Sequence, residues 1–584
     1  MSNEIQTFLV TDNRISGITD QITVAVTAGP SSSSIQKYKQ SSNSSSNIAF
    51  SVKVPSENTL CNRAIRVETI LHATITFTEA LTVAQPLNIV PSSFPMNSGL
   101  FSSSARVNNS LVSVASGDVL EVLKKQYHQS YLTKHCQMTP NFVDTNFGNI
   151  DDAAEDTSSS YMSGVRFAAA DSATCGRANS NISYIVYSSG GAVLGNSSAG
   201  VYTLAPGDSL NAYVDVSMKV TEPILFLPGF ELDGESPAFL GLSSIDVNLQ
   251  INDCKNCIYL GLTGNNKVKK YEIRKGTKKN LTSNFFDEQS FLVMNYISMH
   301  ASDYSKISSK NVIPYNEYTY NKSLYTRTSD AIGSSGSFSV LGSQQSLTQI
   351  PNLIYITVAA PWSDRPLGVS NSLFFPIGSI SLSFNNRVNL LSEMSPEDLY
   401  TMSRRNGSTQ SYMEFMGFTR NSNGDRLLSL GSIIIINVSR DLSLDDYLSA
   451  GSLGSFSLQI TANCNNYEVA VPGKTTIAAS STAELNVICS YSSILITQQG
   501  SSVSMSSLLT KSLVLDTKDK NQSIGDYDEL AKLQGGNANK SMTSLGDALR
   551  KKGTDLFKNK ASTAIQSLGG HYNVSGGSKL SKYT

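Results

Sequence analysis

Cys254 and Cys257 stand two residues apart, the spacing of half a zinc knuckle. A structural zinc needs four ligands, and the sequence holds no second pair of this kind. His128, His135 and Cys136 lie close together, but no ligand spacing completes them, so they read as ordinary polar or core residues. His72 falls in a stretch predicted as a strand, and His571 near the last residues. Gly473-Lys474-Thr475 has the ending of a phosphate-binding loop, but Glu468 occupies the place of the required upstream glycine. The tripeptide also sits between predicted strands, which makes it a hairpin turn. Neither Gly-x-Ser-x-Gly nor His-Glu-x-x-His occurs. The Asn-x-Ser/Thr triplets are those expected by chance in a chain rich in Asn and Ser. The residues therefore predict no catalytic group, no cofactor and no metal.

The elements behind these residues are mostly strands. Ile48, Phe50, Val52 and Val54 alternate with polar neighbours. So do Ala212 to Val220, Ile245 to Ile251, Ile380 to Phe384 and Phe456 to Ile460. A period of two places one side of each strand in a core and the other outside. Short strands separated by Ser, Asn and Gly turns predict an all-β sandwich or jelly roll. Helix starts are few. Ser395 can cap a helix that begins at Pro396 and carries Asp398 in its first turn, and Ser116-Gly117-Asp118 begins a weaker counterpart.

The strongest signal is repetition. ARVNNSLVSVASGDVLEVL (105–123) is echoed by SFNNRVNLLSEMSPEDLY (383–400), each a strand, an Asn-Asn turn, an apolar stretch and a Ser-led helix start. GDSLNAYVDVSMKV (207–220) is matched by GSIIIINVSRDLSL (431–444). GLSSIDVNLQIND (241–253) is matched by GSLGSFSLQITAN (451–463), with Leu-Gln-Ile aligned at 249–251 and 458–460. The same order in both halves predicts two copies of one eight-stranded module with superposing Asn108-Asn109 and Asn385-Asn386 turns. The expected division is an arm at 1–45, a first module at 46–302, a second at 303–505 and a tail at 506–584. The first module is longer, and its surplus at roughly 130–200 is read as long surface loops.

The bulk properties limit the function. The chain has 584 residues, 16% of them charged, and a formal net charge of −1, which argues against a strongly basic nucleic-acid binder. Ser, Asn and Thr supply the polarity, a surface suited to close protein contacts because few charges need desolvation. No secretory leader is expected from MSNEIQTFLV, and no apolar run approaches a membrane span. The seven scattered cysteines read as reduced thiols in a cytosolic or nuclear compartment.

The last eighty residues or so change character. Leu545, Leu549, Leu556, Phe557, Ala561, Ala564, Ile565 and Leu568 fall on an approximate helical stripe, with Lys551, Lys552, Lys558 and Lys560 largely off it. The segment predicts a basic amphipathic helix on a tether. It would either clip neighbouring subunits together or lie against an anionic interior surface of membrane or genome.

The stretch SLFFPIGSISLSFNNRVNLLSEMSPEDLYTMSRRNG, with RDLSLDDYLSAGSLGSFSLQI after it, resembles the second jelly roll of major capsid proteins from polinton-like viruses and virophages. VTEPILFLPGF and GLSSIDVNLQIND are similar to the matching part of their first jelly roll. The resemblance covers roughly 48–500 and lies in the order of the segments. It implies a double jelly roll of the lineage that includes tailless membrane-containing phages and adenoviruses. Three chains would form a pseudo-hexameric capsomer tiling an icosahedral shell of a double-stranded DNA virus. The implied partners are the chain itself, penton and minor or cement capsid proteins, and an internal membrane or the genome through the tail. It implies no catalytic residues. A β-sandwich adhesin or glycan-binding protein is the alternative from the residues alone.

Overall fold

The computed structural model describes residues 32–55, 60–62, 65–78, 80, 85–91, 94–127, 182–196, 202–225, 238–251, 254, 257–262, 271–280, 283–298, 310–326, 336–359, 374–385, 387–420, 426–428, 430–442, 444, 448–465, 482–498 and 500–506. Sixteen strands form the frame. In the first half they are β1 (Ser32–Lys39), β2 (Asn47–Lys53), β3 (Arg66–Phe77), β4 (Leu100–Val107), β5 (Ser110–Val114), β6 (Tyr213–Pro223), β7 (Ser244–Ile251) and β8 (Phe291–Ser298). In the second they are β9 (Lys310–Thr326), β10 (Ser337–Leu341), β11 (Leu353–Ala359), β12 (Ile377–Phe384), β13 (Arg387–Leu390), β14 (Ile434–Asn437), β15 (Leu453–Asn465) and β16 (Thr482–Gln498).

The first eight pair as β1-β8-β3-β6 and β2-β7-β4-β5. The second eight pair as β9-β16-β11-β14 and β10-β15-β12-β13. Adding eight to each label of the first pair of sheets gives the second. Every pairing in these orders is antiparallel. Each half is thus an eight-stranded jelly roll, and the topology is repeated in tandem.

The alternation seen in the sequence fills the cores. Ile48, Phe50 and Val52 of β2 meet Ile245, Val247 and Leu249 of β7 and Val67, Leu71 and Ile75 of β3 in one buried cluster. The run Ile434-Ile435-Ile436 is buried on both sides of its sheet, which explains its unbroken hydrophobicity.

Helices occupy the same place in both halves. α1 (Ser116–Leu123) follows β5, and α2 (Pro396–Arg405) follows β13. α2 carries the expected capping box: Ser395 Oγ accepts from the Asp398 N–H, and the Asp398 carboxylate accepts from the Ser395 N–H. Ala115 stands at the N-cap of α1 and gives no side-chain cap. α1 instead presses on β4: a Cβ added at Gly117 would lie 2.3 Å from the Leu100 carbonyl oxygen. Only glycine allows that approach.

Three expectations change on inspection of the strands. Residues 32–39, read as part of an arm, form β1 and pair along their length with β8, although their Ser-rich sequence gives little hydrophobic alternation. Residues 182–196, read as loop, contribute Ile182–Tyr187, which pairs with β6, and Val193–Asn196 beside it. The shared Leu-Gln-Ile is not in register. Ile245 is the partner of Val107 just before the first Asn turn, and Leu458 is the partner of Phe384 just before the second. The sequence match is therefore four residues out of step, a shift that leaves every side chain on the same face.

Close contacts group the described residues into two units. The larger takes 32–346, 351–442 and 457–506 and holds both sandwiches. The smaller takes 347–350, 444 and 448–456 of the described residues. It is tied internally by Ile350 N–H to Ser452 O at 3.0 Å and Gly451 N–H to Ile350 O at 2.8 Å. The C-terminal helix expected from the sequence, and the loop residues 128–181, lie outside the described residues.

Candidate functional site

The joint between the two sandwiches holds a set of buried polar groups beside an apolar cluster. The outer face of β9-β16-β11-β14 carries a cross-strand row of Tyr320, Ile488, Tyr355 and Ile435. Over this face α1 lays Val119, Leu120, Val122 and Leu123, and together they form an apolar cluster with Phe94, Leu225 and Phe374. Burial of such side chains contributes about 1.5–3 kcal/mol each.

At the end of α1 two lysines enter the joint. Lys124 bonds Glu121 at 2.7 Å. Lys125 crosses to the second sandwich and meets Glu414 at 2.6 Å, with both side chains 5% exposed. The Lys125 carbonyl accepts from the Thr409 N–H at 2.7 Å and from its hydroxyl at 2.6 Å. Tyr355 donates to Gln126 Oε1 at 2.7 Å. Beside these contacts lies a cleft of about 500 Å³ lined by Tyr127, Tyr318, Asn352 and Ser490 among others.

A second contact closes the other end. The strand Ser501–Ser506 folds back on β16 and reaches the turn between β4 and β5. Ser110 N–H donates to Ser502 Oγ at 3.0 Å, Ser502 Oγ donates to the Val107 carbonyl, and Asn108 Nδ2 donates to the Ser501 carbonyl at 3.1 Å. Thr497 Oγ1 donates to Leu240 O at 2.8 Å.

Behind α1 sits Glu222, fully buried at the end of β6. Its carboxylate accepts from Met96 N–H at 2.9 Å, Asn97 N–H at 3.0 Å and Asn97 Nδ2 at 2.8 Å, holding the short helix Pro95–Gly99 against which α1 packs. Burial pushes the Glu222 carboxyl up to about 7, opposed by those hydrogen bonds.

The residues singled out for chemistry are scattered. His72 lies on β3, with Nδ1 3.1 Å from Ser217 Oγ and Nε2 3.4 Å from Asp287. Cys254 and Cys257 are buried and in no disulfide. Among the described residues no group of three His, Cys, Asp or Glu could hold a metal. His128, His135, Cys136, the 473–475 turn, His571 and the tail residues Leu545, Leu549, Lys551, Lys552, Leu556, Phe557, Lys558, Lys560 and Ile565 lie outside the described residues. Sequence reasoning passed over Lys125, Glu414 and Glu222. Two adjacent lysines directly after a helix with an apolar stripe were the visible signal for the first. What is built here is a joint for fixing two sandwiches side by side, not a reaction centre.

Comparison with known proteins agrees with that reading. The family model for the Sputnik virophage major capsid protein first domain matches residues 3–297, about half the chain, and that for the major capsid protein V20 C-terminal domain matches 320–493. The putative capsid protein V20 of Sputnik virophage is 22% identical over 522 residues, covering 85% of this chain and 79% of that protein. The cryo-EM structure of the Sputnik virophage superposes with a TM-score of 0.63 at 19% identity, over 91% of this chain and 99% of that one. The crystal structure of the mavirus major capsid protein does so with 0.60 at 16% identity, over 88% and 98%. With a duplicated jelly roll, a buried joint between its halves and a family match across the first domain, the chain belongs to the virophage major capsid proteins, structural proteins of the virion and not enzymes.

Proposed function

We propose that the chain builds the shell of an icosahedral double-stranded DNA virus as a homotrimer with a pseudo-hexameric outline. Each copy would supply two of six similar sandwiches. The observation that carries this is the repeated eight-strand order held in one compact unit by the α1 joint. Two like modules fixed side by side give a threefold ring a near-sixfold edge. Obligate contacts of this kind bury more than about 2,000 Å² in total. Sedimentation of the expressed protein should give three chains per particle, and negative-stain images should show six-sided views. A stable monomer at micromolar concentration would overturn the reading.

The division is carried forward as a proposal with one boundary moved: an arm before residue 32, a first sandwich to 302, a second at 303–505 and a tail at 506–584, the pairing of β1 with β8 supporting the earlier start. Neighbouring capsomers, penton and minor capsid proteins are the proposed further partners. The surplus of the first module is proposed to face outward or a neighbour, and limited proteolysis should cut there or at the termini first.

The tail is proposed to lie inside the shell. Lys540, Arg550, Lys551, Lys552, Lys558, Lys560, Lys579 and Lys582 stand against Asp547 and Asp555 between 540 and 584. Each basic residue near an anionic membrane contributes about 1 kcal/mol. Deleting 540–584 should leave normal shells with weaker, salt-sensitive binding to anionic liposomes or DNA. Trimers that no longer form shells without lipid or nucleic acid would assign the tail to clipping capsomers instead.

A further inference from the structure

We propose that the first sandwich carries a binding site for a neutral sugar, with the ring of Phe101 as its platform and the amides of Asn47 and Gln250 as its polar contacts. The site lies within one chain, so the proposal stands apart from the trimer reading.

The observation is a break in alternation. Along β4 the residues Ser103, Ala105 and Val107 are buried, and a period of two would send Phe101 inward with them. Phe101 is instead 52% exposed, and Leu100 is buried in its place. The ladder gives the cause. Gln250 of β7 is the partner of Ser102, but the next residue, Ile251, is the partner of Leu100. Phe101 is thus the extra residue of a β-bulge, and a bulge re-aims a side chain without ending the strand.

The bulge has firm support. A Cβ on Gly117 would lie 2.3 Å from the Leu100 carbonyl oxygen, so α1 presses on β4 at this point. The short helix Pro95–Gly99 just before β4 is held by the Glu222 carboxylate through Met96 and Asn97. A platform fixed before its ligand arrives loses less entropy on binding.

Beside the ring is a hollow of about 320 Å³, lined by Ser46, Asn47, Phe101, Gln250 and Ile251. Small ligands bind in pockets of about 300–1,000 Å³, so this one suits a monosaccharide or disaccharide unit. Ser102 Oγ donates to Gln250 Oε1 at 3.1 Å, which orients the amide and leaves its Nε2 to donate outward. Asn47 Oδ1 is buried without a hydrogen-bond partner among the described residues, and a small turn of that amide would bring it to a ligand hydroxyl. None of the lining residues is charged, which disfavours phosphate, nucleic acid and acidic peptide. Amides both donate and accept, as sugar hydroxyls do. The face of an aromatic ring is negative and attracts the C–H side of a sugar ring. Together these features select a neutral sugar.

The test offers the full-length protein a panel of glucose, galactose, mannose, N-acetylglucosamine and their β-linked disaccharides, with a heparin disaccharide as the charged probe. Saturation-transfer NMR should show ring C–H contact for at least one neutral sugar and weaker contact for the heparin unit. Phe101 and Gln250 are exposed, so their variants should melt like the unaltered chain. Phe101→Ala should weaken the best neutral sugar at least about 10-fold through loss of the stacked ring. Gln250→Ala should weaken it about 3- to 10-fold through loss of a hydrogen bond. Phe101→Trp keeps a ring in place and should retain binding. Val388→Ala removes a 65% exposed apolar residue from β13 of the other sandwich and should leave binding unchanged. The proposal is overturned if no neutral sugar of the panel binds, if Phe101→Ala binds as well as the unaltered chain, or if the heparin unit is preferred. Loss of oligomers in Phe101→Ala, with no sugar bound by the unaltered chain, would assign the ring to a contact between chains and overturn it too.

Discussion

Asn108 and Asn385 hold the same backbone conformation and make the same pair of bonds at the same point of the two sandwiches. Their φ angles are +52° and +53°. Each donates its N–H to a serine carbonyl at 2.9 Å, Ser244 for Asn108 and Ser457 for Asn385. Each side-chain oxygen accepts the N–H of that same serine, Ser244 at 3.3 Å and Ser457 at 2.8 Å, and Asn108 Oδ1 also accepts from Ser243 N–H at 2.8 Å. The left-handed region favours Asn among non-glycine residues, and the amide side chain then locks the turn to the neighbouring strand. Asn386 lies outside the described residues, so the correspondence is carried by the first Asn of each pair.

Replacing these residues should therefore have unequal effects. Asn108→Ala loses bonds to both Ser243 and the Ser501 carbonyl in a buried place and strains a left-handed residue, a loss of about 2–4 kcal/mol. Asn385→Ala, at an exposed turn, should lose about 1–2 kcal/mol, and Asn385→Gly less. Urea unfolding midpoints of the three variants check the order.

Lys125→Ala leaves Glu414 charged and buried without its cation. A loss of about 3–5 kcal/mol is expected, with earlier proteolytic separation of the two sandwiches. Lys125→Met with Glu414→Leu should recover most of it, because an apolar pair of similar volume needs no desolvation. A double variant no more stable than Lys125→Ala would contradict this account.

Glu222 gives the joint a pH dependence of defined sign. Its folded-state pKa is raised by burial from 4.5 to about 7, so the folded chain prefers the protonated form. The stability tied to this group is fully present below pH 4.5 and is lost as pH rises through about 7, up to about 3 kcal/mol. Glu222→Gln should remove this component, leaving a flatter melting temperature between pH 5 and 8 than the parent shows, about the window.

Thiol labelling should be nearly silent in the native protein. Cys61, Cys254, Cys257, Cys464 and Cys489 are buried and in no disulfide, and burial pushes the Cys61 and Cys489 thiols up to about 12. Of the seven cysteines in the chain, those five should react with a thiol reagent only after unfolding, which leaves at most the two at Cys136 and Cys175. Native labelling of three or more would show that the cores open readily.

The repeat was legible in the sequence because its marks are local. An Asn-Asn turn, a Ser-led helix and a period of two each depend on residues a few positions apart. Alternation gave the buried faces of β2, β7 and β12, and the capping box gave α2. β1 escaped because its first residues are serines and it is held by pairing with β8, more than 250 residues away. The Leu-Gln-Ile match misled because a shift of four residues preserves the inside-outside pattern, and only the ladder distinguishes one register from the other.

The sequence by itself determined a duplicated all-β chain, since composition and short-range pattern suffice for that. Tertiary structure alone decided which sheets the strands join and which face of each is covered. It made Lys125 a buried partner of Glu414, and its counterpart Arg405 a half-open one. The two positions have like charge and like spacing, and the difference between them arises from what lies across the joint. That depends on contacts between residues nearly 300 apart, which no local pattern encodes.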